Sequence, residues 1–161
     1  MQTAKGLFKG KGAQRPRGGG CPAPVAFPAI ANAREAEHLL RVFENERVEL
    51  LVALHDLQQR SAEEIPAPLA HLVRRQGGGL LWRKRSARPE TQTLFELAGE
   101  VGRELLQDLS PAERRPYLDA EAERLRLNAC WAIVNAATRS LWLYLERYRA
   151  IRALRKSSET G

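Results

Sequence analysis

The run Trp82-Arg83-Lys84-Arg85 sets three cations directly after an aromatic ring, with Arg74-Arg75 a few residues upstream and Arg88 just beyond. Cations at this density neutralise phosphate oxygens and release the counterions condensed on a nucleic acid. On a strand, Arg83 and Arg85 share one face with Leu81, while Trp82 and Lys84 share the other. The competing explanation is an edge strand charged against aggregation, with Trp82 in the core. A second set of cations, Lys5, Lys9, Lys11, Arg15 and Arg17, surrounds Phe8 in a glycine-rich stretch. Such an arm can contact phosphates and stack on an exposed base, or serve only as a solubilising tail.

Charge distribution supports a polyanionic partner. The chain has 161 residues and a formal net charge of +7. Residues 1–34 contain six cations and no acid, and residues 65–89 again contain six cations and no acid. Those two segments carry +12, so the remainder is net −5. Scattered solvating charge would not sort in this way, which ties the nucleic-acid expectation to two discrete segments. Hydrophobic residues make up 43% and charged residues 28% of the chain, near globular averages.

Catalytic constellations are weak. Gly6-Leu7-Phe8-Lys9-Gly10-Lys11-Gly12 has the flavour of a phosphate loop. It is one residue short of GxxxxGK, lacks the following Ser or Thr, and has no strand before it. His38, His55 and His71 have no second ligand at zinc spacing. Cys21 and Cys130 lie too far apart in sequence for a metal box and read as free thiols of a reducing compartment. Ser61-Ala62-Glu63-Glu64 reads as a helix cap, and other paired carboxylates read as solvated helix faces. The expectation is a non-enzymatic protein with no metal and no cofactor.

Asn128, Trp131, Asn135, Thr138, Trp142 and Arg149 fall on one helical stripe, the asparagines seven apart. Buried asparagine at such spacing fixes helix register or pairing, so Asn128, Trp131, Asn135 and Trp142 are candidate register or interface residues. A ligand-contacting role is the alternative. Arg147, Arg149, Arg152, Arg155 and Lys156 follow, complementing a helix dipole or extending the basic surface. Leu127–Leu145 is long enough to span a bilayer, but a central Arg139 costs about 2.5–3.5 kcal/mol there, so a buried helix of a cytoplasmic protein is expected.

These side chains need elements to hold them. Residues 1–31 read as a flexible basic arm broken by glycines and by Pro22, Pro24 and Pro28, and no apolar signal segment precedes them. Residues 32–157 read as one helical domain, with 158–161 as a tail. Asn32 and Glu35 mark a helix start, and Leu40, Phe43, Leu50, Leu54 and Leu57 continue one face to about Gln59. A hairpin is expected near 69–85, reversing at Gly77-Gly78-Gly79; a short helix over 68–75 is its competitor. Thr91–Leu109 reads as a helix with Leu94, Leu97, Val101 and Leu105 on one side. Ser110-Pro111-Ala112-Glu113 starts the last helix, which Pro116 should split before a long run to about Arg155. The apolar section 127–145 of that run is expected at the centre of the core.

Three segments, GLFKGKG (6–12), GLLWRKRSA (79–87) and LRLNACWAIVNAATR (125–139), resemble in order a family of small uncharacterised proteins. That family is encoded by integrating conjugative elements and related plasmids of proteobacteria. The Pro/Gly-rich stretch 14–28 departs from its pattern, in which a helix follows KGKG sooner. The resemblance implies a mobile-element setting and no mechanism.

The combined expectation is a mainly α protein, a bundle with two long helices and one small β-hairpin. It would bind nucleic acid, DNA first, mainly through phosphates, as an accessory to transfer, replication or maintenance of an element. The alternative is a helical interaction subunit or homodimer whose basic segments dock an acidic partner.

Overall fold

The computed structural model describes residues 30–65, 68–86 and 93–159. Their order is α1 (Ala33–Glu64), β1 (Ala70–Arg74), β2 (Leu80–Lys84), β3 (Leu94–Phe95), α2 (Glu100–Gln107) and α3 (Pro111–Glu159). This is a mainly helical fold with a small antiparallel sheet, as expected. The arm residues Lys5, Lys9, Lys11, Arg15 and Arg17, and also Arg88, lie outside the described residues.

Both long helices start where capping chemistry dictates. Asn32 Oδ1 accepts from the Glu35 amide at 3.0 Å, and Glu35 accepts from the Ala31 amide at 2.8 Å. Ser110 and Glu113 exchange side chain for backbone at 3.4 and 2.8 Å, with Pro111 as the first helical residue. α1 runs beyond Gln59, so Ser61 caps nothing: it is buried, and its hydroxyl donates back to the Gln58 carbonyl at 2.9 Å. Nor does Pro116 split α3. Its missing amide would have bonded the carbonyl of Ala112, and Ala112 is exposed to water that can replace the bond. One turn later Tyr117, Ala120 and Glu121 are buried, which holds the helix line.

α1 and α3 lie antiparallel. At one end Ala36 packs with Leu141 and Leu145, and Arg149 meets Glu37 at 3.4 Å. At the other, Arg60 meets Glu123 at 2.9 Å. The main core lies toward that second end, where Leu54, Leu57, Leu72, Leu80, Trp82 and Leu127 meet beneath the sheet.

Two further expectations fail here. Residues 91–109 do not form one helix. Phe95 pairs with Trp82 as β3, and Phe95 and Leu97 are buried on a two-residue period while Leu94 is 48% exposed. Gly99 caps the short α2, and Gly102 packs on the Leu97 backbone so closely that a Cβ would sit 2.1 Å from its carbonyl oxygen. The glycines thus permit a tight reversal in place of a continuous helix. The second failure is the apolar middle of α3. Leu127, Val134, Ala137, Leu141 and Leu145 are buried, but Leu125, Ile133, Trp142 and Leu143 are exposed, because α1 and the sheet cover only one side. Among the described residues no helix is long and apolar enough to cross a membrane.

Candidate nucleic-acid interface

The hairpin forms where the glycines require it. β1 and β2 pair from Ala70–Lys84 to Arg74–Leu80, and the turn closes through Arg75 N–H to the Gly79 carbonyl at 2.7 Å. Two of the three glycines, Gly77 and Gly78, take positive φ of 107° and 103°. Gly79 does not need it.

One face of α3 holds this hairpin. Glu121, Arg124, Asn128 and Trp131 follow at spacings of three, four and three, which aligns them on a helix. Trp131 Nε1 donates to the Gly77 carbonyl at 2.6 Å, and its ring lies so close under Gly78 that a Cβ there would meet it at 2.2 Å. Arg47 of α1 covers the same ring, 5.8 Å from its centroid. Asn128 bonds both backbone groups of Leu80. Arg124, 1% exposed, donates to the Leu80 carbonyl at 2.9 Å, to both oxygens of Glu121, and to Glu96. Burial opposes the Arg124 charge, yet Glu121 and Glu96 hold its pKa above the ordinary value.

Trp82 belongs to this dock and not to a binding surface. It is fully buried, donates from Nε1 to Glu121 at 2.8 Å, and lies 5.5 Å from the Tyr117 ring. Its assignment as a nucleic-acid contact is therefore withdrawn: alternation along β2 turns it into the core. Asn128 likewise sets no helix–helix register, since its partner is strand backbone, and Trp131 bonds the turn while its ring takes Arg47 of α1. The Asn135 side chain is half-buried with no hydrogen bond to another described residue, and Trp142 is exposed.

The opposite face of the sheet carries His71, Val73, Leu81 and Arg83, with Leu94 beside Arg83. Arg75 and Arg85 lie just beyond β1 and β2; Arg85 acts on His71, and Arg75 lines a shallow concavity with Leu81, Glu96 and Asn128. Arg74, Arg75, Lys84 and Arg85 are exposed and Arg83 is half-buried. None of the five forms an ion pair among the described residues. They do not gather into one small cluster. Arg74 and Arg75 lie at the turn end and Arg83, Lys84 and Arg85 at the open end, and Arg74 and Lys84 stand on the inner side of the alternation. Arg75 at the turn end and Arg83 and Arg85 at the open end span about 20 Å along the hairpin at ~3.3 Å per residue.

His71 lies on the outer face opposite Arg83. Burial, then Arg85, then Arg83, push its pKa below the ordinary 6.5. Its Nδ1 is buried with no hydrogen-bond partner among the described residues.

Sequence reasoning missed Glu121, Arg124 and Glu96, and weighed His71 only as a metal ligand. A signal existed for the first two: opposite charges three apart, in line with Asn128 and Trp131 on an otherwise apolar face. Among the described residues no group of three or more His, Cys, Asp or Glu side chains is placed to hold a metal ion. No protein-family model matches the chain, and no curated protein or solved structure is significantly similar to it.

Proposed function

We propose that this protein binds nucleic acid, DNA in the first instance, through the outer face of its β1–β2 hairpin. The observation that carries this reading is the set Arg75, Arg83 and Arg85, free of ion pairs among the described residues, of which Arg85 and Arg83 add to burial in lowering the pKa of His71. The ~20 Å span of that set matches about six steps of a nucleic-acid strand at ~3.4 Å each. A hairpin locked to α3 by Asn128, Arg124 and Trp131 presents these cations without a large ordering cost. Contacts of this kind neutralise phosphates, so sequence preference is weak. Lys5, Lys9, Lys11, Arg15 and Arg17 supply a second set of phosphate contacts. The resemblance set out above would make the protein a cytoplasmic accessory, without catalytic activity, to transfer, replication or maintenance of a mobile element.

Fluorescence anisotropy with single- and double-stranded DNA across a salt series tests the reading. Replacing both Arg83 and Arg85 with Ala should lower the slope of log K against log salt by about 1.4–1.8, two contacts at ~0.7–0.9 each. Arg41→Ala, at the end of α1 that packs on Leu141 and Leu145 rather than on the sheet, should leave it unchanged. An unaltered slope in the double variant would remove the hairpin from the interface. The exposed apolar side chains of α3 favour a second, compatible role in protein–protein contact.

A further inference from the structure

α3 has a second apolar stripe that nothing in the described structure covers. Leu118, Leu125 and Ala132 recur every seven residues, and Ala136, Leu143 and Ala150 repeat that spacing on the same side of the helix. All six are exposed: Leu118 at 51%, Leu125 at 52% and Leu143 at 45%. This side lies away from the one that packs on α1 and the sheet, so intramolecular folding leaves it in water.

From this we infer that the protein is a homodimer whose two α3 helices pair antiparallel along this stripe. The sequence is self-complementary about a two-fold axis near residue 134. Leu118 of one copy then lies opposite Ala150 of the other, Leu125 opposite Leu143, and Ala132 opposite Ala136. The alanines at the centre allow close approach of the helices, and the leucines fill the wider spaces outside them. Three charges interrupt the stripe, Arg139, Glu146 and Arg147, and they decide the orientation. In the antiparallel pair they face Ala129, Ala122 and Glu121 of the other copy, so none of them meets a like charge, and the first two can lay their stems over methyl groups while their heads reach water. In a parallel pair each would meet its own copy, Arg139 on Arg139 and Glu146 on Glu146, a repulsive arrangement.

The area suffices. From Leu118 to Ala150 the stripe is about 48 Å long at ~1.5 Å per residue, and a helix is ~10 Å wide. Two such strips bury roughly 1,000 Å², the lower bound for a specific interface. This inference is independent of the nucleic-acid reading, and its test contains no DNA.

Light scattering on the full chain between ~1 and ~100 µM should give twice the 18.1 kDa chain mass. Ala132→Glu combined with Ala136→Glu places like charges at the axis and should weaken association at least ~100-fold. Both side chains are exposed, so circular dichroism of that variant should stay helical. In a Cys21→Ser, Cys130→Ser background, mixing Leu118→Cys with Ala150→Cys protein should yield disulfide-linked heterodimers and few Leu118→Cys homodimers. A chain that stays monomeric throughout would overturn the proposal. So would a dimer indifferent to the glutamates, or one that cross-links position 118 to itself.

Discussion

Asn128 treats Leu80 as a neighbouring strand would: its Oδ1 accepts from the Leu80 amide at 2.9 Å, and its Nδ2 donates to the Leu80 carbonyl at 2.8 Å. The ladder explains why. Residues 79 and 85 bond toward the β1 side, so the even-numbered residues of β2 direct their backbone groups the other way. On that side β3 reaches only Trp82 and Arg83, which leaves Leu80 without a strand partner. Asn128 completes the ladder from a helix.

Asn128→Ala removes both bonds and strands a backbone amide against α3. The expected loss is about 2–4 kcal/mol in urea unfolding, with the slope m unchanged. Asn128→Asp should be no better, because it presents an oxygen to the Leu80 carbonyl.

Arg124 and Glu121 form a buried pair that only a cycle can apportion. Arg124→Met leaves Glu121 charged and unpaired beside Trp82, an expected cost of about 3–5 kcal/mol. Adding Glu121→Gln should recover part of that loss, because a neutral amide can still accept from Trp82. Denaturant melts of the two single variants and the double variant measure the coupling. Strict additivity would mean that the pair acts independently.

The two positive-φ glycines should separate cleanly. Gly77→Ala meets no atom within 4 Å and pays only for its backbone, about 1–2 kcal/mol. Gly78→Ala adds a clash with the Trp131 ring and should cost distinctly more. Tryptophan fluorescence during thermal unfolding reads both, and equal effects would argue against the Trp131 dock.

His71 should make stability depend on pH. Its folded pKa is below 6.5, so the unfolded chain binds the proton more readily. The contribution is fully present above 6.5 and is lost as pH falls through the lowered folded value. Melting temperature should therefore drop on mild acidification, and His71→Gln should flatten that part of the curve. An anion seated on Arg83 and Arg85 would offset their effect on the ring and shrink the dependence.

Local chemistry made much of this molecule readable in advance. Asn32 and Glu35, and Ser110 and Glu113, mark helix starts because unsatisfied amides at a helix end need those side chains within reach. The hairpin followed from alternation in Leu80–Arg85 and from glycines that tolerate positive φ. Acid-free runs of cations were visible without coordinates. Tertiary structure decided the rest. Leu94 and Leu97 have helical spacing, yet Leu94–Phe95 form a strand and a turn follows, because β2 offers unpaired backbone and the core takes Phe95 and Leu97. Trp82 and Arg83 are adjacent in sequence and have opposite fates, since the choice of buried face depends on where α3 lies. The alignment of Glu121 and Arg124 with Asn128 and Trp131 was legible, but their burial was not, because burial is a property of the assembled layers and not of the residues.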